Sequence, residues 1–161
     1  MRFCVIGAGA MGGVYGLSLI EAGYKVNFLD VNRDHVNAVK ENGFRLSGIG
    51  KKKVHKINIS DNENDFKNSA DVVLFHAHTT GTKSAALSAA SVLKPDGYAI
   101  TLQNGIGNIE SLSEVLGAKR VVGGISYHSA ALEDLGHVKH TNGGSTFIGE
   151  LDGVILSLIH I

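Results

Sequence analysis

The stretch that most constrains this chain is its first thirty residues, MRFCVIGAGAMGGVYGLSLIEAGYKVNFLD. An apolar run over residues 3–6 passes straight into Gly7-Ala8-Gly9-Ala10-Met11-Gly12. Apolar residues then recur at Val14, Leu17 and Ile20, with Tyr15 and Leu19 beside them, which is helical spacing. Gly23 ends that segment, and a second apolar run over residues 26–29 finishes on Asp30. The order is strand, glycine turn, helix, strand, acid. Gly7 permits the tight turn, Gly9 lets backbone approach a pyrophosphate, and Gly12 lets helix and strand pack closely. The helix start offers unpaired N–H groups and a partial positive charge to phosphates. Asp30 can accept hydrogen bonds from ribose hydroxyls. Gly7, Ala8, Gly9, Ala10, Met11, Gly12 and Asp30 are therefore the candidate dinucleotide-binding residues. The alternative is a glycine turn that only packs, with Asp30 a solvated strand end.

Charge narrows the partners. Lys+Arg and Asp+Glu are both 15, so the formal net charge is zero. That argues against nucleic acid or an anionic membrane as the main partner and favours a small molecule. The one basic run, residues 51–53, reads as a solvated turn. The single cysteine, Cys4, lies inside the first strand pattern and cannot form an intrachain disulfide, which fits a reducing compartment. The N-terminus reads directly as a strand rather than a secretory leader, and no window reaches membrane-spanning length. The expected location is cytoplasmic.

Further along, residues 32–42 predict a second helix with Asn32 as cap, Val36 and Val39 inward and Gly43 as stop. Residues 44–60 predict two short strands, and residues 61–69 a loop or short helix. Residues 71–75, Asp-Val-Val-Leu-Phe, predict a strand buried on both faces. A helix over 80–93, a turn at Lys94-Pro95-Asp96-Gly97 and a strand over 98–102 follow. Next come a glycine loop, Gln103-Asn104-Gly105-Ile106-Gly107, a helix over 108–116 capped by Asn108, and a strand over 120–126. Two weaker strands are expected around 137–140 and 146–148. Strands alternating with helices specify α/β class: a Rossmann-type, doubly wound, mainly parallel sheet with helices on both faces. Ligands in such sheets sit at the carboxyl ends of the strands. Residues 7–12, Asp30, 76–80 and 103–107 should therefore surround one crevice.

With these motifs in place, the chain resembles the 2-dehydropantoate 2-reductase (ketopantoate reductase) family. The resemblance rests on Gly7-x-Gly9-x-x-Gly12, the strand at 71–75 with its following loop, Gln103-Asn104-Gly105-Ile106-Gly107, and Gly136-His137-Val138 with Gly149-Glu150. It covers residues 1–150 and implies the family's nucleotide domain. It implies NADPH-dependent reduction of a 2-keto acid to a 2-hydroxy acid in pantothenate synthesis, with Asn104 at the substrate or nicotinamide end. A homodimer is possible for a full-length form. The chain departs from the family in three ways. His78 stands where the family carries a lysine. Asp30, which suits NAD(H), stands near the place of an arginine for the 2′-phosphate of NADP(H), with Arg33 three residues on as a possible substitute. The helical C-terminal domain that supplies the proton-donating lysine is expected to be absent, leaving residues 151–161 as a truncated or non-native tail. The catalytic candidates here are Asn104 and His78. Two other readings stay open: a free-standing module that senses NAD(P) without catalysis, and the cofactor domain of another two-domain dehydrogenase.

Other constellations carry less. His76-x-His78 after a strand could hold a metal if His128 or His137 converged on it, but no Cys or Glu cluster accompanies the pair, and no metal is expected. His76 reads as polar fill. Ser126-Tyr127-His128-Ser129 lacks a nucleophile elbow and reads as a strand entering a loop. Lys83 reads as a solvated helix residue.

Overall fold

In a computed structural model the described residues are 1–50, 52–78 and 81–151. The expected tail beyond residue 151 and Thr80 lie outside them. Seven strands form the main sheet: β1 (Arg2–Ile6), β2 (Lys25–Leu29), β5 (Asn58–Ser60), β6 (Ala70–Phe75), β7 (Leu93–Thr101), β8 (Val121–Ser126) and β11 (Thr146–Glu150). Their order is β11-β8-β7-β6-β1-β2-β5. All pairs are parallel except β11 on β8. The chain winds outward from β1 in one direction through β2, then returns to start the other half at β6. The topological switch point lies between β1 and β6.

Four helices cover the sheet: α1 (Ala10–Glu21), α2 (Arg33–Asn42), α3 (Thr82–Val92) and α4 (Asn108–Leu116). Val5, Leu17, Phe28, Val36 and Val39 share a core on the α1/α2 face. Cys4, Val73, Phe75, Ala86, Ala89 and Leu112 share one on the α3/α4 face. Successive strand residues point to opposite faces, so both faces must be apolar, which is why β1 and β6 read as continuous runs. Burial pushes the Cys4 thiol up to about 12, so it stays a protonated, inert filler.

A second sheet was not expected. Its order is β4-β3-β10-β9, from β4 (Lys53–His55), β3 (Phe44–Gly48), β10 (His137–Asn142) and β9 (Ser129–Asp134). Residues 44–60 thus hold three strands rather than two, with β5 joining the main sheet, and β9 is added. Phe44, Leu46 and Val138 turn inward from this sheet towards α1. α1 is narrow enough to fit between the two sheets. A Cβ at Gly13 would lie 2.8 Å from Phe44 and Val138 side-chain atoms, and one at Gly16 would lie 2.4 Å from the Phe28 ring.

Several boundaries and one cap differ from the expectation. The strand after α3 starts at Leu93, not Tyr98. Ala70 pairs with Leu93 and Val72 with Tyr98, so residues 94–97 bulge out of the ladder. The bulge is pinned where Arg120 donates to the carbonyls of Lys94 (2.8 Å) and Gly97 (2.9 Å). Arg120 itself lies in a 3₁₀ turn, Ala118–Arg120, not in β8. Asn108 is not the cap of α4; Gly107, at φ +89°, holds that position. Asn108 points inward instead, donating to the Asn104 carbonyl (2.9 Å) and accepting from Thr82 Oγ1 (3.1 Å). Asn32 does cap α2, its side chain accepting the His35 N–H at 3.1 Å. Residues 61–69 contain a 3₁₀ turn, Glu63–Phe66.

Candidate active site

The site is built where β1 and β6 diverge. Gly7 leaves β1 with φ +92°, which favours glycine. Its N–H donates to the Leu29 carbonyl (2.9 Å), and His76 N–H donates to that of Ile6 (2.8 Å), so the turn is locked to both neighbours of β1. A Cβ on Gly7 would meet the His76 carbonyl group at 2.7 Å. At Gly12, in the first turn of α1, a Cβ would fall 1.9 Å from the Gly7 carbonyl oxygen. At Gly9, the cap of α1, it would meet nothing within 4 Å. The space over Gly9 is therefore open, beside a helix start whose first N–H groups, at Ala10, Met11 and Gly12, have no intrahelical partner. That is a cradle for a pyrophosphate.

A cavity of about 500 Å³ runs along this crevice, lined in part by Gly7, Gly9, Asp30, His35, His76 and His78. Asp30 is held rather than free. One carboxylate oxygen accepts the Ala8 N–H (2.6 Å) and the other that of Asn32 (2.9 Å). Each oxygen keeps a further lone pair for a ribose hydroxyl. Arg33 is exposed and does not line the cavity; its Nε donates to Asp61 at 2.8 Å. Val31, almost fully exposed, stands at the same end. On the other wall, α3 contributes Ser84, Ala85 and Ser88.

His78 is exposed at the rim, as expected. His76 lines the cavity and lies flat on Tyr15, with ring centroids 5.3 Å apart and 17° between planes. Sequence reasoning took Tyr15 as part of an apolar stripe. Its hydroxyl donates to Ser126 Oγ (2.8 Å) and also bonds Thr146 Oγ1, tying α1 to the ends of β8 and β11. A tyrosine within an otherwise aliphatic stripe was the signal available. Asn104 does not line this cavity. It sits in the loop after β7, which Gln103 fastens to the β6 loop by donating to the Ala77 carbonyl (2.6 Å) and to the start of α3 by donating to Thr82 Oγ1 (3.2 Å). His137 is bonded to Ser47 and His128 to His140.

Burial pushes His76 down from 6.5 to about 4, so the ring is neutral in the fold near neutral pH. The unfolded chain takes up this proton near pH 6.5 while the folded one resists until about 4. Stability from this group is thus complete above pH 6.5 and falls as pH drops through that window, by an amount on the order of 3 kcal/mol. Melting curves at intervals from pH 7 to 4 should show the decline, and His76→Phe, which keeps the stacking, should flatten it. An unchanged slope in that variant would assign the acid sensitivity elsewhere.

The family described as ketopantoate reductase PanE/ApbA matches residues 3–153. The chain belongs to the ketopantoate reductase PanE/ApbA family. It is 33% identical over 152 residues to the 2-dehydropantoate 2-reductase of Archaeoglobus fulgidus, covering 94% of this chain and 48% of that protein. Among solved structures, 2-dehydropantoate 2-reductase from Geobacter metallireducens superposes with a TM-score of 0.91 at 27% identity, over 99% of this chain and 52% of that one. The ternary structure of D-mandelate dehydrogenase with NADH and anilino(oxo)acetate superposes with a TM-score of 0.87 at 27% identity, over 94% and 48% of the two chains. This ketopantoate reductase-family chain spans about half the length of the curated relatives it matches. Among the described residues no helix is long and apolar enough to cross a membrane.

Proposed function

We propose that residues 1–150 are the dinucleotide-binding domain of an NAD(P)H-dependent 2-keto acid reductase of the ketopantoate type. The observation that carries this reading is the open cradle over Gly9, set at the switch point beside a carboxylate held by two backbone N–H groups. The first turn of α1 would bind the pyrophosphate, and Asp30 the adenosine ribose. Crevice walls from β1, β6 and α3 would exclude water from the dinucleotide. When bound, the nicotinamide supplies a hydride. The Gln103-fastened loop would hold Asn104 at the end where a keto acid sits. Reduction also needs a donor for the developing alkoxide. That group is expected from a domain such as the longer relatives carry, with His78 the titratable side chain at the rim on this half. This chain should bind the dinucleotide and turn over ketopantoate negligibly. A steady-state rate comparable with a full-length relative would overturn that division of labour.

Cofactor choice turns on Asp30 and Arg33. A carboxylate bonded to a ribose diol loses those bonds when the 2′-oxygen is phosphorylated. Two negative groups about 4 Å apart repel by roughly 4 kcal/mol at an effective dielectric near 20, and water reduces this. The Arg33–Asp61 pair is exposed, and such pairs contribute at most about 1 kcal/mol, so Arg33 can be recruited to a phosphate. Any NADPH preference should therefore be weak. Asp30→Ala should move the NADPH:NADH affinity ratio towards NADPH by about tenfold, read by fluorescence titration of both cofactors. Strong wild-type NADPH selectivity, unmoved by the substitution, would show that Asp30 does not face the ribose.

A further inference from the structure

The α3/α4 face of the main sheet is left uncovered at one end. In the antiparallel pair β8–β11, Ile125 lies opposite Phe147 and Gly123 opposite Gly149. Alternate residues of a strand share a face, so these four stand together with Tyr127, whose ring meets that of Phe147 edge to face at 6.4 Å. The intervening Ser126 and Thr146 point the other way, to the Tyr15 hydroxyl on α1. α4 reaches as far as Gly123, where a Cβ would lie 2.9 Å from Ile109 and 3.6 Å from Leu151. Beyond it, Ile125, Tyr127, Phe147 and Leu151 are 44–61% exposed. The topology explains the gap. Parallel strands are joined by a crossover, usually a helix, that covers one face. β8 and β11 are antiparallel, and the strands between them, β9 and β10, pack on α1 from the opposite side. Among the described residues this pair therefore brings no crossover helix of its own.

We propose that this face is the seat of an amphipathic helix from a second half such as the longer relatives carry. The proposal rests on the division of labour in the proposed function and places the joint between the two halves. A contiguous apolar patch of this kind marks a contact surface. Its shape suits a helix: a Cβ at Gly149 would meet nothing within 4 Å, which leaves a trough between Phe147 and Leu151. This chain spans about half of the relatives it matches, so in them a further domain's length of chain accompanies this fold. β8 runs parallel to β7, so Ile125 and Tyr127 stand at the same end of the sheet as the Asn104 loop, where the proton donor is required. A second copy of this chain fits worse. Its own α4 stands on the same face beside the trough and exposes Glu110 and Glu114, carboxylates that an apolar interface would strip of water.

The test adds the half of the Archaeoglobus fulgidus 2-dehydropantoate 2-reductase that this chain does not match, produced separately, and follows sedimentation velocity. The chain alone should run as a monomer and the mixture as a one-to-one complex. Phe147→Asp and Ile125→Asp should each weaken the complex by about tenfold. Leu87→Asp, at an equally exposed apolar side chain on α3, should not. If the separate half shows no helical circular dichroism, the two halves are joined in one chain and melted. Phe147→Asp should then lower the melting temperature of the joined protein by roughly 2–4 °C and leave that of this chain alone unchanged. A chain that self-associates, and ceases to with Phe147→Asp, would assign the face to a second copy and overturn the proposal. So would a folded half that does not bind, equal losses in all three variants, or a joined protein whose melting ignores Phe147→Asp. NADH titration of the unmixed chain keeps the two readings apart. Normal binding without a complex overturns the joint alone, whereas no binding overturns the dinucleotide reading.

Discussion

Gly12→Ala is expected to cost the domain at least about 3 kcal/mol and to lower its melting temperature by roughly 6–12 °C. The added Cβ would sit 1.9 Å from the Gly7 carbonyl oxygen, well inside contact distance. Backbone, not a flexible side chain, is the obstacle. Gly7 has little room to retreat, because its N–H is bonded to the Leu29 carbonyl and even a Cβ there would lie 2.7 Å from the His76 carbonyl group. α1 has little room to retreat either, because at Gly13 on its other side not even a Cβ fits beside Phe44 and Val138. The strain must therefore lift the helix start off β1 or break the second sheet's packing. Thermal unfolding by circular dichroism reads the loss. A variant that melts with wild type would mean that α1 and the loop are not packed this closely.

Gly9→Ala should behave in the opposite way. Gly9 has φ −71°, which any residue adopts, and its Cβ would meet no protein atom within 4 Å. The fold should keep its melting temperature to within about 1 °C, since surface-like substitutions away from packed features are near neutral. The methyl group would nonetheless occupy the space a pyrophosphate needs, and hold it away from the N–H groups of the first turn. Loss of charge-assisted hydrogen bonds of that kind should weaken NADH by about a hundredfold. Paired measurements on the same protein sample, melting and NADH titration, separate the two glycines. If Gly9→Ala binds NADH normally, the phosphates do not lie over residue 9.

Legibility in the sequence followed burial. β1 and β6 are covered on both faces, so their apolar runs could be read one residue at a time, and the glycines entering α1 by their spacing. The second sheet was missed because it is covered on one side only. β9 carries Leu132 half-exposed just before Glu133 and Asp134, and β3 pairs with β10 from the far end of the chain. No local pattern encodes that pairing. Asn108 was assigned as a cap from its type, but its amide is consumed by the Asn104 carbonyl and Thr82, a tertiary demand invisible in the spacing. The site divides similarly. Gly7, Gly9 and Asp30, read from the motif, and His78, read from the resemblance, do line the cavity, whereas His35, which also lines it, was hidden in a helix pattern. Arg33 was a fair guess from charge, yet Asp61, brought alongside by β5, holds it outside the cavity wall.

The wedging of α1 between two sheets has a thermodynamic corollary. A phosphate cradle on a mobile helix end must be ordered at the moment of association, and that ordering subtracts from affinity. Here Gly12, Gly13 and Gly16 bring backbone and rings so close on both flanks that the helix has one seat. The N–H groups are aimed before any anion arrives, and folding has already met the entropic cost. Association should then show a small change in backbone order, with rigid-limit amide relaxation at residues 8–13 both without and with NADH.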